Sequence, residues 1–265
     1  VIKLVVSDVD GTMVTTDKVL TSATIDAAQR LRAAGVHLAL VSSRPPRGMA
    51  FLTRELGLSG PLGGFNGGTI LAPDGAVIEE RFVPEEAVRA SLALFELRGV
   101  FPWLFADNQW IITDPEGDYV WKERMTVRFE PTIVTDFEPF VSRCGKVVGA
   151  SKQFDMLARC ETQLRGELGQ IAHAQRSQQY YLDVTSPTAD KGSATRAIAK
   201  YYGVDVADVC VLGDQANDVP MFRVAGHSIA MGNAPPAVAA EAKQHTESNE
   251  EDGWAKAIDR FVLNA

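Results

Sequence analysis

Three short apolar runs, each closed by a polar cluster, constrain this chain more than any other feature. Ile2 to Ser7 leads into Asp8-Val9-Asp10-Gly11-Thr12, and Val36 to Val41 leads into Ser42-Ser43-Arg44-Pro45. Val209 to Leu212 leads into Gly213-Asp214-Gln215-Ala216-Asn217-Asp218. Apolar runs of this length read as buried strands. Helix signals alternate with them. Thr21-Ser22 offers an N-cap, Ile25, Ala28 and Leu31 follow at helical spacing, and Gly35 ends the segment. Further helices are expected over 47–56, 191–202, 219–225, 236–242 and 253–261. Ser228 to Met231 reads as another strand. Thr69 to Ile78, with Pro73-Asp74-Gly75 in its middle, reads as a hairpin. This alternation predicts an α/β core, a doubly wound parallel sheet covered on both faces. Ligands of such sheets bind outside the carboxyl ends of the strands.

Residues 84–184 differ in texture. Trp103, Trp110, Tyr119, Trp121, Tyr180 and Tyr181 fall here. Strand-like pieces over 101–105, 109–113, 146–150, 171–174 and 180–184 mix with helical patterns over 84–98 and 153–168. The expectation is an α+β module, 84–184, inserted into a core domain formed by 1–83 and 185–265. The alternative is one continuous large sheet.

Composition narrows the partners. Across 265 residues, 26 Lys and Arg face 34 Asp and Glu, a formal net charge of −8. That balance argues against a nucleic-acid footprint, which needs a basic stripe. No apolar run approaches the roughly 18–20 residues of a membrane span. The first run is too short for a signal peptide. Cys144, Cys160 and Cys210 are widely spaced, which suits a reducing, cytoplasmic compartment. Cys210 reads as a small buried side chain. His37, His173, His227 and His245 show no metal-ligand spacing.

Each polar cluster has a plain structural explanation of its own. Asp8 to Thr12 could be a polar turn, Ser42 an N-cap, Lys191 a surface lysine and Asp218 the N-cap of the next helix. Lys191 nevertheless opens a helix, where a cation opposes the helix dipole. Together the clusters say more. Three buried strands deliver carboxylates and a hydroxyl to one edge of a parallel sheet, and Lys191 adds an ammonium. Crowded carboxylates need a cation. An all-oxygen set favours Mg²⁺, and Mg²⁺ with a lysine and a hydroxyl forms a receptor for a phosphoryl group.

These residues resemble the haloacid dehalogenase (HAD) superfamily of phosphotransferases. The motifs occur in its order, and the resemblance spans nearly the whole chain. Phe65-Asn66-Gly67-Gly68-Thr69-Ile70, Met231-Gly232-Asn233-Ala234 and Glu251-Asp252-Gly253 are similar to segments of the Cof-type branch with a subclass IIB cap. The resemblance implies a Rossmann-like core with a C2B-type cap and a Mg²⁺-dependent phosphatase of small phosphorylated metabolites such as sugar phosphates. It implies that Asp8 is the nucleophile, Asp10 the general acid and base, and Lys191 the charge-neutralising catalytic cation. Ser42, Ser43, Arg44 and Asn217 would bind substrate. Asp8, the carbonyl of Asp10 and Asp214 would bind the metal, with Asp218, Gly11 and Gly213 in support. The branch usually reads Thr-Gly-Arg where this chain has Ser42-Ser43-Arg44. The hydroxyl is kept, but the second residue loses the backbone freedom of glycine. The cap's aromatic residues become candidates to pack a sugar face.

Two rivals remain at this level. A phosphomutase of the same cap class would return the phosphoryl group to another hydroxyl. A phospho-acceptor signalling or binding protein would hold it without turnover. The chain is expected to act as a monomer or small homo-oligomer.

Overall fold

The computed structural model describes residues 1–264. The chain begins with β1 (Leu4–Ser7), α1 (Ser22–Ala33), β2 (His37–Val41), α2 (Ala50–Leu56), β3 (Leu62–Gly64), β4 (Thr69–Leu71) and β5 (Val77–Glu80). Next come α3 (Glu85–Arg98), β6 (Phe101–Ala106), β7 (Gln109–Ile112), α4 (Val120–Val127), β8 (Thr132–Ile133), β9 (Cys144–Ala150), α5 (Phe154–Leu168), β10 (His173–Gln178) and β11 (Tyr181–Thr185). The last part holds α6 (Lys191–Tyr202), β12 (Val209–Gly213), α7 (Val219–Val224), β13 (His227–Ala230), α8 (Pro236–Ala239), β14 (Gln244–His245) and α9 (Gly253–Ile258).

Two compact units result. Among the described residues, the first comprises 1–42, 49–79 and 190–264; the second comprises 43–48 and 80–189.

The first unit is built on a sheet of order β14-β13-β12-β1-β2-β3-β4-β5. Its strands from β14 to β3 run parallel, with Val5 opposite Cys210 on one side and Leu38 on the other. Side chains alternate between faces along each strand. Val5, Leu40, Cys210 and Leu212 pack with α1, α2 and α9 on one face. Leu4, Val6, Ala39, Val41, Val209 and Val211 pack with α6 and α7 on the other. Burial on both faces explains why these strands read as unbroken apolar runs. At about 25 cal/mol per Å² of apolar surface removed from water, these two layers supply the main driving force for the fold.

The helix caps follow their sequence signals. The Thr21 side chain accepts from the N–H of Thr24. Asp190 caps α6 by accepting from the N–H groups of Gly192 and Ser193. The expected helix over 47–56 is shorter. Pro46–Met49 forms a 3₁₀ turn, and only Ala50–Leu56 is α-helical.

The second unit is built on a sheet of order β10-β11-β9-β6-β7-β8, antiparallel except where β8 joins β7. One face buries Leu104, Ile111, Val147, Leu182 and Val184 against α3 and α5. The opposite face carries Trp103, Trp110, Lys146, Tyr181 and Asp183. Trp103 and Trp110 are buried and meet edge to face at 5.3 Å. Tyr119 stacks on Tyr180 at 4.5 Å, and Trp121 is exposed.

Candidate active site

Parallel pairing places the C-terminal ends of β1, β2 and β12 on one edge of the first unit's sheet. Asp8 follows β1 directly, and its N–H donates to the Leu212 carbonyl at 3.0 Å. Ser7 Oγ donates to the Asp8 carbonyl at 2.6 Å and accepts from Trp254 Nε1 at 2.9 Å. Asp214 follows β12. Lys191 reaches in from the first turn of α6.

The side chains converge on Lys191. Its ammonium donates to Asp8 Oδ1 at 2.6 Å and to Asp218 Oδ1 at 2.5 Å. It is 1 % exposed, so it is not a surface lysine. Asp218 Oδ2 accepts from the N–H groups of Asp214 and Gln215 at 2.8 and 2.9 Å. Asp218 therefore turns back on the loop before it and does not cap α7. Thr12 Oγ1 donates to Asp214 Oδ1 at 3.1 Å and lies 3.4 Å from Asp8 Oδ2. Gln215 Nε2 and Asn233 Nδ2 both donate to Asp214 Oδ2, at 2.9 and 3.2 Å.

Two glycines are required by close approach. Gly11 has φ +80°, and a Cβ there would lie 2.5 Å from Asp214 Oδ2. A Cβ on Gly213 would run into the Asp218 carboxylate.

The electrostatics follow from burial. Desolvation raises the Asp8 carboxyl well above its usual value; Lys191 opposes this, while Asp218 and Asp214 add to it. Burial also raises Asp214, with Asp218 adding and the Gln215 hydrogen bond opposing. Burial pulls Lys191 down, but Asp218 and Asp8 outweigh it and leave its pKa raised.

Asp8, Asp214 and Asp218 each offer a carboxylate oxygen, and these lie within 4.8 Å of one another. Three carboxyl groups gathered around one ammonium would, if all ionised, leave a deficit that a divalent cation would balance. The donors are all oxygen, which fits a hard cation. Asp218 has both oxygens engaged, by Lys191 and by backbone N–H groups.

The other sequence-derived residues are placed as follows. The Asp10 carboxylate stands apart from the buried trio and pairs with Lys18 at 2.7 Å. Ser42 is fully buried at the end of β2; its N–H donates to the Gly63 carbonyl and its carbonyl accepts from the Asn66 N–H. Asn217 Nδ2 donates to Asn66 Oδ1 at 3.0 Å. Ser43 and Arg44 group with the second unit, where Arg44 Nη1 donates to the Thr126 carbonyl at 3.2 Å. Cys210 is buried as expected, its thiol pushed up to about 12 by burial. Lys18, Asn66 and Asn233 went unassigned in the sequence. The similar segments around Asn66 and Asn233 were the signals that pointed to two of them.

The haloacid dehalogenase-like hydrolase family model matches residues 5–258. The chain belongs to this family. A putative phosphatase of Haemophilus influenzae is 28 % identical over 256 residues, covering 96 % of this chain and 95 % of that one. A haloacid dehalogenase-like hydrolase from Bacteroides thetaiotaomicron has a TM-score of 0.90 at 27 % identity, covering 98 % of this chain and 100 % of the other. A HAD subclass IIB sugar phosphatase shares the fold with a TM-score of 0.85 at 24 % identity, covering 98 % and 99 %. The phosphoric monoester hydrolase class read from the sequence is the class these relatives carry. Among the described residues no helix is long and apolar enough to cross a membrane.

Proposed function

We propose that this HAD-type phosphatase is Mg²⁺-dependent and hydrolyses small phosphorylated metabolites, sugar phosphates first among them, through an aspartyl-phosphate on Asp8. The observation that carries this reading is the buried Lys191 ammonium held between Asp8 and Asp218, with Asp214 beside them. A structural ion pair would need one carboxylate, not three. Asp8, the Asp10 carbonyl and Asp214 would hold Mg²⁺. When bound, the ion supplies positive charge to the phosphoryl oxygens.

The chain's own residues do the rest. Lys191 fixes Asp8 Oδ1 and offsets negative charge as the carboxylate meets an anionic phosphate. An Asp8 oxygen attacks phosphorus while the ester P–O bond breaks. The leaving alkoxide takes a proton from Asp10. Water then attacks the phosphorus and gives a proton to Asp10. The bond to Asp8 breaks, which frees inorganic phosphate and restores both carboxyls. The Ser42 hydroxyl hydrogen-bonds the transferring group. Ser43, Arg44 and Asn217 complete substrate binding in this reading. The second unit is the cap that selects the substrate, and the first is the catalytic core. A cytoplasmic location fits the three free cysteines.

The test is phosphate release from a panel of sugar and other metabolite phosphates, with and without Mg²⁺. EDTA should abolish release and Mg²⁺ restore it. Asp8→Asn should lose at least ~10³-fold in kcat. Near-normal activity in Asp8→Asn would remove the nucleophile assignment. Isomer formed from a hexose phosphate without free phosphate would favour the mutase.

A further inference from the structure

Two 3₁₀ turns of the first unit meet through their side chains. Phe65–Gly67 joins β3 to β4, and Ala216–Asp218 follows β12. In the sheet, β1 and β2 stand between β12 and β3, so no ladder hydrogen bond joins the turns. Asn217 Nδ2 instead donates to Asn66 Oδ1 at 3.0 Å. Among the described residues this is the one hydrogen bond that either side chain makes, and both residues are half-buried.

Both feet of this bridge rest on segments that hold the site. The Asn66 N–H donates to the Ser42 carbonyl at 2.9 Å, which ties the turn to the end of β2. The next residue, Gly67, lies against the cap of α6: a Cβ there would be 2.7 Å from the Asp190 carbonyl oxygen. Asp190 directly precedes Lys191, whose ammonium bonds Asp8 and Asp218. On the other side, Asn217 directly precedes Asp218. The backbone at 66 accounts for only part of this. Its φ of +57° is left-handed, a conformation that asparagine and glycine adopt readily. A turn alone would accept either residue, whereas the contact with Asn217 needs the side-chain oxygen.

We infer that Asn66 is a positioning residue for phosphate binding: its Oδ1 takes one N–H of the Asn217 amide and so orients the second N–H as a donor to the anion. A primary amide nitrogen carries two donors in one plane, so engaging one fixes the line of the other. An unanchored amide turns over a broad range about its last torsion. The bridge joins two neutral groups and adds no charge to the site. Its effect therefore falls on how tightly the phosphate group is held, and not on the reactivity of Asp8.

This inference rests on the substrate-binding role of Asn217 in the reading above, and a double-mutant cycle separates the two. The probe is orthophosphate, used as a competitive inhibitor of p-nitrophenyl phosphate hydrolysis. Asn66→Gly keeps the left-handed backbone and the N–H to Ser42 and removes only the side chain, so its unfolding midpoint should match the parent's. It should raise both the orthophosphate Ki and KM about fivefold, the worth of one neutral hydrogen bond, with kcat changed less than about twofold. In an Asn217→Ala background the same change should cost less than about 1.5-fold, the group it positions being absent. Unchanged Ki and KM in Asn66→Gly overturn the inference and leave residue 66 as a turn residue only. An equal loss in both backgrounds overturns it too, as does a loss confined to kcat. If Asn217→Ala itself leaves Ki and KM unchanged, the role of Asn217 falls and the inference falls with it. If Asn217→Ala is impaired and Asn66→Gly is not, the inference alone falls.

Discussion

Asn233 is tied to Asp214: its side-chain nitrogen donates to Asp214 Oδ2 at 3.2 Å and to the Gly11 carbonyl at 2.8 Å. Its own oxygen accepts from the Asn249 N–H at 3.1 Å, so the amide is oriented at both ends. Partners that orient a metal-binding carboxylate typically change metal affinity 10- to 100-fold when removed. Asn233→Ala should therefore raise the Mg²⁺ concentration for half-maximal activity by at least ~10-fold. Saturating Mg²⁺ should recover most of kcat. A Mg²⁺ activation curve checks this, and an unchanged midpoint would contradict it.

Gly11 presses on the same carboxylate from the other side. At φ +80°, with a Cβ position 2.5 Å from Asp214 Oδ2, it has no room for alanine. Gly11→Ala has to move either the loop after β1 or Asp214. Denaturant unfolding should show a loss of about 1–3 kcal/mol from backbone strain. Turnover should fall ~10²-fold through displacement of the site. A variant as stable and as active as the parent would show that this approach is not required.

Asp218 is fully buried, and both of its oxygens are engaged. Asparagine keeps the shape but offers one acceptor in place of two. If its oxygen serves the N–H groups of Asp214 and Gln215, its NH₂ faces the Lys191 ammonium, donor against donor. Breaking a buried ion pair from one side costs about 3–5 kcal/mol. Lys191 keeps Asp8, so Asp218→Asn should fall at the lower end of that range, with activity reduced as well. Unfolding midpoints in denaturant measure the first effect and phosphate release the second.

How much of this was legible depended on whether a feature is local. β1, β2 and β12 were readable because strands buried on both faces are apolar at every position. Asp8, Asp214 and Asp218 were readable together because a parallel sheet must gather its strand ends, and Lys191 because a cation opening a helix opposes its dipole. α4 was not. It starts from Tyr119 at φ +63° without a side-chain cap, and one of its buried positions is Glu123. β8 and β14, two residues each, are too short to leave a pattern. The Lys18–Asp10 pair and the Asn233–Asp214 contact join chain segments through loop geometry that no spacing encodes. The cap aromatics were legible as a group but not by role, because burial separates Trp103 and Trp110 from exposed Trp121 only after folding.

Glu123 gives the second unit a pH-dependent stability of definite sign. Burial pushes its carboxyl from 4.5 up to about 7; Lys146 opposes this, Asp183 adds to it, and Tyr181 and Arg44 oppose it further. The folded state therefore holds this proton more tightly than the unfolded chain. The stabilisation is fully present below about pH 4.5 and is lost as pH rises through about 7. At about 1.4 kcal/mol for each tenfold change in proton affinity, the loss is on the order of 3 kcal/mol by pH 8. Burial also raises Asp8 and Asp214, so the parent protein alone cannot isolate Glu123. Glu123→Gln can, because it keeps the volume and stays neutral at every pH. Its unfolding temperature should match the parent's near pH 4, exceed it increasingly between about pH 4.5 and 7, and keep that margin above pH 7. A difference that stays constant across that window would mean that Glu123 is already ionised in the folded protein.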